Sequence, residues 1–380
     1  MSKEAVMQKF LAVVAVLGAI NLFVFLVSWK GLNTKPQCSL NSFLQMSANF
    51  IASNGKHSIT EHLSESCPNS FLEKEAASII DFRKTVRDLI HECNSRRLLF
   101  SPHGQITTQP ILTLFTSWIN EKHVHEVHKK TLANWSRFSP KFTLVLFTND
   151  SVLSTQAEEY GWKTYPIMDH AAGGAPVLKA MFQTVIENIN STFYGYANSD
   201  ILFTDALPDS LDLIAQKFKS PTSVFISGIR TNVPNVSLKE AASFPNIAAA
   251  ANVRGKLFEI HSADYFFTTK WFPWADVPPL VIGRRAYDNY IVSHARRIKA
   301  TVIDATETVP AIHQTTAKGN QEGITRPDAD YNDKYLVRLG ITPKYESGFV
   351  TCAEWKLYET LCGDIDIVQR QSLPKYCAIQ

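Results

Sequence analysis

The signatures that most often betray an enzyme's chemistry are missing from this 380-residue chain. There is no Walker loop, no G-x-G-x-x-G, no G-x-S-x-G and no protein-kinase motif set, which removes the best-marked nucleotide and acyl-transfer classes. The six cysteines include no C-x-x-C pair, so neither a structural zinc nor a dithiol redox centre is expected. His123, His125 and His128 run as H-V-H-E-V-H, one residue short of H-E-x-x-H, and the zinc-protease spacing is absent. Charge of one sign is lacking too. Thirty-eight basic residues against 35 acidic ones leave a net +3, too little to argue for nucleic acid, and Arg83-Lys84, Arg96-Arg97 and Arg296-Arg297 read as solvated helix faces. No carboxylate pair of a hydrolase stands out, and no internal repeat or low-complexity segment is evident.

What is present is a globular composition, 45% apolar and 11% aromatic. There is one long apolar run, Phe10 to Trp29, with no charge and a single polar amide, Asn21. As a helix it would span about 30 Å, the thickness of a bilayer core. Its length, and the lack of a small-x-small site near Leu26-Val27-Ser28-Trp29-Lys30, favour a signal-anchor over a cleaved signal peptide. The expected organisation is a cytosolic tail (1–9), a transmembrane anchor (10–29), a stem ending in a packing helix (30–105) and a catalytic domain (106–380). Sequons at Asn134, Asn149, Asn190 and Asn235 and an even cysteine count agree with a lumenal body. The cysteines cluster at the two ends of that body, which suggests disulfides stapling the termini.

From Pro110 the rhythm becomes strand and helix in alternation. Ile111 to Phe115, Phe142 to Phe147 and Lys163 to Ile167 read as strands, with Ser154 to Tyr160 as a short helix. Gly173-Gly174-Ala175-Pro176 is expected to open a helix of roughly 14 residues. The second half carries strand signals at Val224 to Val233, Leu257 to Thr268 and Thr301 to Ile303, around a helix from Arg285 to Lys299. Strands apolar on both faces imply an α/β, mostly parallel sheet covered by helices. Ligands of such sheets bind at the carboxyl ends of the strands. Thr116-Ser117, Thr148-Asn149-Asp150 and Asn198-Ser199-Asp200 all fall there.

FYGYANSDILF, Phe193 to Phe203, is the most informative stretch. An apolar strand stops to present an amide, a hydroxyl and a carboxylate, oxygen donors that suit a hard divalent cation; an Asx turn bonding its own backbone is the alternative. His313 follows a strand and could be a ligand or a packed histidine. Asp288, near a helix start, could be a general base or a first-turn carboxylate favoured by the dipole. Lys179 with Gly173-Gly174 could approach phosphates. Trp271, Phe272 and Trp274 could stack on a sugar or fill the core.

Four segments together, ILTLFTSW, TLVLFTND, YANSDILF and the late pair GRRAYDNYIV and AIHQ, resemble lumenal nucleotide-diphospho-sugar glycosyltransferases with the GT-A fold, over roughly residues 108 to 316. That resemblance implies a Rossmann-like sheet and a D-x-D-type element in which Asn198 stands at the first acidic position. It implies a Mn or Mg ion on Asp200 and His313, with Asn198 and Lys179 beside the diphosphate. It places the base and ribose of a nucleotide-sugar near Thr116 and Asp150. An acceptor hydroxyl on a glycan, glycoprotein or glycolipid would enter past Ser262-Ala263-Asp264 and Trp271, and Asp288 would be the base of an inverting transfer. A single-pass type II protein of the Golgi or endoplasmic reticulum membrane follows. A catalytically inactive, anchored glycan-binding protein of the same fold is the alternative.

Overall fold

The computed structural model describes residues 109–316, 328–341, 345–360 and 362–378, with Arg326 and, further upstream, Lys84, Asp88, Ile90 and Cys93. Two compact units are separated after His103. The four described residues of the first are helical, and its expected anchor and stem otherwise lie outside the described residues. Among the described residues, no helix is long and apolar enough to cross a membrane.

In the second unit the strands are Leu112–Ser117 (β1), Phe142–Phe147 (β2), Lys163–Tyr165 (β3), His170–Ala171 (β4), Ala175–Pro176 (β5), Phe193–Ala197 (β6), Ile201–Leu202 (β7) and Val224–Ser227 (β8). They continue with Arg230–Pro234 (β9), Lys256–Leu257 (β10), Tyr265–Thr269 (β11), Thr301–Asp304 (β12), Ala311–Thr315 (β13), Trp355–Glu359 (β14) and Ile365–Gln369 (β15). The helices are His125–Trp135 (α1), Ser151–Glu159 (α2), Leu178–Asn188 (α3), Ala206–Lys217 (α4), Leu238–Ala241 (α5), Phe244–Arg254 (α6), Tyr287–Arg297 (α7) and Tyr331–Arg338 (α8).

Among the described residues, nine strands form one mixed sheet in the order β15-β14-β12-β8-β11-β6-β1-β2-β3. The pairings β6–β1, β1–β2, β2–β3, β12–β8 and β12–β14 are parallel, whereas β11 runs antiparallel to both β6 and β8. The expected α/β, mostly parallel sheet is therefore present. Alternation along the strands sends side chains to two cores. Phe115, Phe147, Tyr194 and Phe266 pack with α3 and α7 on one face. Leu114, Leu146, Phe193 and Phe267 pack with α1, α2 and α4 on the other. Gly195 in β6 is where Phe267 lies, and a Cβ there would collide with that ring.

A second sheet has the order β10-β9-β13-β7. Leu202, Val233 and Ile312 of this sheet pack on Ala241 of α5 and on Ile247 and Ala250 of α6. It exists because two apolar runs break in the middle. The expected strand from Val224 to Val233 divides at Gly228-Ile229 into β8 and β9, which belong to different sheets. The run from Leu257 to Thr268 is likewise extended only at its ends, as β10 and β11.

Other boundaries differ for local reasons. Gly173 and Gly174, both with positive φ, form the turn of the β4–β5 hairpin, and α3 starts only at Leu178. Arg296 is buried, not solvated; its guanidinium donates to the carbonyls of Ser347 (2.6 Å) and Cys377 (2.8 Å). Cys352 and Cys377 form a disulfide with each other, Cys93 and Cys362 are each engaged in a disulfide, and no described cysteine is free.

Candidate active site

Direction places the site. Because β1, β2 and β6 are parallel, their carboxyl ends share one edge. The antiparallel β11 brings its beginning to that edge, with Tyr265 opposite Ala197. Strand β8 also ends there and feeds directly into β9. The turn Asn198-Ser199-Asp200, Arg230 and Asp264, far apart in sequence, thereby meet.

The turn carrying Asp200 is held by one face of α1. Thr131, Asn134 and Trp135 are spaced i, i+3 and i+4, the spacing that puts side chains on one helix face. The Thr131 hydroxyl donates to Ser199 O (2.6 Å) and the Trp135 indole to Ile201 O (2.9 Å). Asn134 donates to Phe203 O and Ala241 O (3.1 Å each) and accepts from Phe203 N–H (2.8 Å). Asn134 is fully buried. The expectation that it is a glycosylation acceptor is thus overturned: its amide is a structural clamp, and a glycan would have to displace the core. Asn149, Asn190 and Asn235 are exposed.

Short strand β7 pairs with β13, setting His313 opposite Ile201, and Gln314 N–H donates to Asp200 O (3.0 Å). This register delivers the His313 imidazole to Asp200, Nε2 to Oδ2 at 3.0 Å. Burial opposes the charge of both groups. For Asp200 the adjoining His313 outweighs it, and the carboxyl lies below its ordinary value. For His313 the adjoining Asp200 outweighs it, and the imidazole lies above its ordinary value. Asp200 Oδ1 is buried with no hydrogen-bond partner, a costly state for a carboxylate oxygen unless something else reaches it.

Asn198 does not point into open space. Its Oδ1 accepts from Tyr196 (2.8 Å) and Tyr287 (3.1 Å), and its amide donates to Asp264 Oδ1 (2.6 Å). Arg230, lying over the Phe258 ring at 4.2 Å, reaches the same oxygen at 3.3 Å. Asp264 is 7% exposed and its Oδ2 has no partner. Burial raises its carboxyl, and Arg230 pulls the other way. Asp264 is the member of the cluster that sequence reasoning placed only on an entry path. Its one signal is a charge at the head of the apolar run Tyr265-Phe266-Phe267.

Tyr287 opens α7 after Ala286, whose φ of 75° is left-handed, so Asp288 follows directly behind a residue bonded to Asn198. Asp288 is half-buried. Burial, with the Asp264 charge added and the Asn289 N–H opposing, raises its carboxyl to about 7. A carboxylate near neutrality is suited to general base work.

The remaining expected residues lie elsewhere. Asp150 accepts from Val152 and Leu153 N–H through Oδ1 (2.8 and 3.1 Å), capping α2, and from Asn120 through Oδ2 (3.0 Å). Thr116 is fully buried with an unpartnered hydroxyl, and Lys179 is half-buried on the first turn of α3. Phe272 and Trp274 are core residues, Trp274 stacked on Phe182 at 3.6 Å. Trp271 follows the far end of β11, so it and Asp264 flank the strand at opposite sheet edges. His123, His125 and His128 diverge to Glu121, Asn120 and the Trp118 ring. Burial lowers His128 to about 4, keeping it neutral.

Among the described residues, no three His, Cys, Asp or Glu side chains form a ready metal cage. Asp200 and His313 still fit a hard divalent ion as a two-donor site. Such ions keep several waters and take phosphate oxygens, needing one or two protein carboxylates, and Asp200 Oδ1 is available for that purpose.

No protein-family model matches this sequence, and no curated protein does. Solved structures do match. A glucosyl-3-phosphoglycerate synthase from Mycobacterium tuberculosis, in complex with Mn2+, UDP and phosphoglyceric acid, is similar at 9% identity and TM-score 0.34, over 61% of this chain and 79% of that one. A mycobacterial protein is similar at 9% identity and TM-score 0.35, over 69% and 84%. S. aureus TarS 1–349 is similar at 16% identity and TM-score 0.25, over 33% of this chain and 37% of that one. Likenesses this distant carry no argument about function; strand order and site chemistry have to carry it.

Proposed function

We propose that this chain is a membrane-anchored, lumenal glycosyltransferase of the GT-A type. It would move a sugar from a nucleotide-sugar to an acceptor hydroxyl on a glycan, glycoprotein or glycolipid, with inversion. The observation that carries the proposal is the meeting of Asp200, His313, Asp264 and Asp288 at the carboxyl edge of a mostly parallel sheet, with one orphaned carboxylate oxygen on each of Asp200 and Asp264. In sheets of this kind that edge is where nucleotides bind.

Asp200 and His313 would hold a Mn or Mg ion beside the diphosphate. A divalent cation there supplies positive charge against the negative charge that develops on the departing nucleoside diphosphate. Thr116 and Asp150 would border the base and ribose, and Lys179, half-buried in the first turn of α3, would offer its ammonium to phosphate. Asp288 accepts the proton of the acceptor hydroxyl. The freed oxygen bonds to the anomeric carbon as the bond from that carbon to the phosphate oxygen breaks. Exposed sequons at Asn149, Asn190 and Asn235, the disulfides and the apolar run 10–29 support an oxidising, lumenal address reached through a type II anchor.

The test uses the full chain in detergent micelles, screened with common nucleotide-sugars and Mn2+ for donor hydrolysis, beside Asp200→Ala and His313→Ala. Hydrolysis lost in both variants is expected. Equal behaviour of all three proteins across the donors would sink the site. Glycan binding without metal-dependent nucleotide binding would instead mark the non-catalytic protein of the same fold.

A further inference from the structure

Asn198 occupies the first acidic position of a D-x-D-type element, and its surroundings explain why an amide suits that place. Both faces of the side chain are used with opposite polarity. The oxygen receives two tyrosine hydroxyls, and the nitrogen donates to Asp264 Oδ1 at 2.6 Å. A carboxylate at 198 would lose the donated bond and face the Asp264 carboxylate at that distance. Two such groups repel, and Arg230, 3.3 Å from Asp264 Oδ1, supplies one positive charge against two negative ones. The backbone repeats the pairing, since Asn198 N–H donates to Asp264 O at 2.9 Å. The two residues are therefore one unit, an amide and a carboxylate on neighbouring antiparallel strands.

Resting on the proposed cation site, we infer that the carboxylate duty of position 198 has moved to its partner Asp264, which acts on the ion through a bound water. Asp264 is 7% exposed and Oδ2 is left without a partner, while Oδ1 is fixed by Asn198 and Arg230. A buried carboxylate oxygen is stable only if it has something to meet. Asp264 does not join Asp200 and His313 in a direct three-donor cage, so contact runs by way of water, which Mg and Mn ions retain readily. Carboxylates that hold metal-bound groups in place commonly matter nearly as much as the ligands. Asn198 is then a positioning residue. It orients Asp264 and, through the Tyr287 hydroxyl, ties that carboxylate to the start of the helix carrying Asp288.

The experiment measures Mn2+ binding by the full chain in micelles through the electron paramagnetic resonance signal of free Mn2+, with no turnover required. Asp264→Asn is expected to weaken binding at least about tenfold. The exchange variant Asn198→Asp/Asp264→Asn keeps one amide and one carboxylate in the pair, so it is expected to fold like the parent and to regain most of that loss. Asp264→Asn binding Mn2+ as the parent does would overturn the inference. So would an exchange variant that melts with the parent but binds as weakly as Asp264→Asn. Asp200→Asn separates the two levels: a parent that binds no Mn2+, or binds it unchanged after this substitution, removes the cation site itself. A parent whose binding needs Asp200 but not Asp264 removes only the inference.

Discussion

The carboxyl edge of the sheet has two halves, and they use polar residues in opposite ways. At the ends of β1 and β2, Asp150 spends one oxygen on the first turn of α2 and the other on Asn120. Asn149 exchanges both hydrogen bonds with the backbone of Ile167. These side chains close the fold. At the ends of β6 and β8, Asp200 and Asp264 each keep a buried oxygen without a partner, and Asp288 is held close to neutrality. The difference lies in charged groups with spare bonding capacity. An Asn-Asp strand exit looks the same in sequence on either side. The first half leaves the neutral Thr116 hydroxyl without a partner, whereas the second leaves buried carboxylate oxygens, and strained charges of that kind mark a functional site.

The strongest way to break this contrast is Asp288→Asn. If Asp288 is the base, kcat should fall by about 10²- to 10⁴-fold, measured as sugar transfer under saturating donor. The parent's rate should rise with pH through about 7, because the base works only when ionised and burial raises its carboxyl to that value. Stability moves the opposite way. The folded chain holds this proton more tightly than the unfolded one, so the group's contribution is lost as pH rises from the ordinary carboxylate range to about 7. Asp288→Asn should flatten both profiles. An unaltered rate would return Asp288 to the role of a first-turn carboxylate.

A second test attacks the clamp that holds the reactive half. Asn134→Ala removes three buried hydrogen bonds and leaves the Phe203 backbone groups short of partners. A loss of about 3 kcal/mol in unfolding free energy is expected, read by chemical denaturation. Activity should fall with it, since the same helix face fixes the Asp200 turn. Mass spectrometry of the chain made in a secretory host should find Asn134 bare.

This clamp also shows where sequence reasoning stops. Phe142 to Phe147 was legible to the residue because a strand buried on both faces is a continuous apolar run bounded by a glycine-free polar exit. Resemblance to a known pattern of segments singled out Asp200, His313 and Asp288, and the structure sets the first two 3.0 Å apart and the third in the first turn of α7. The division of Val224 to Val233 was not legible, because nothing local says that two halves of one apolar run join different sheets. Thr131, Asn134 and Trp135 carry the right helical spacing, yet their partners lie 66 to 69 residues away or more. Asn134 was even disguised as a sequon. Asp264 gave no motif at all, since its meaning comes from an antiparallel strand whose beginning happens to lie beside the end of β6.

The smallest effect is expected on the other half of the edge, at Asp150. Asp150→Ala deletes the cap on α2 and the bond to Asn120, and should lower the melting temperature by roughly 2–4 °C. If the carboxylate serves the fold alone, KM for the donor and kcat should stay with the parent once the protein is assayed well below that melting point. If the base and ribose do sit against this half, the donor KM should rise while kcat holds, the signature of lost ground-state binding. Asp150→Asn separates the contributions further: the amide oxygen can still cap the helix through Oδ1, whereas its nitrogen cannot accept from Asn120. A KM that rises in both variants, with melting restored only in the second, would mean that this carboxylate both caps the helix and binds the donor, and the two halves would then differ in degree and no longer in kind.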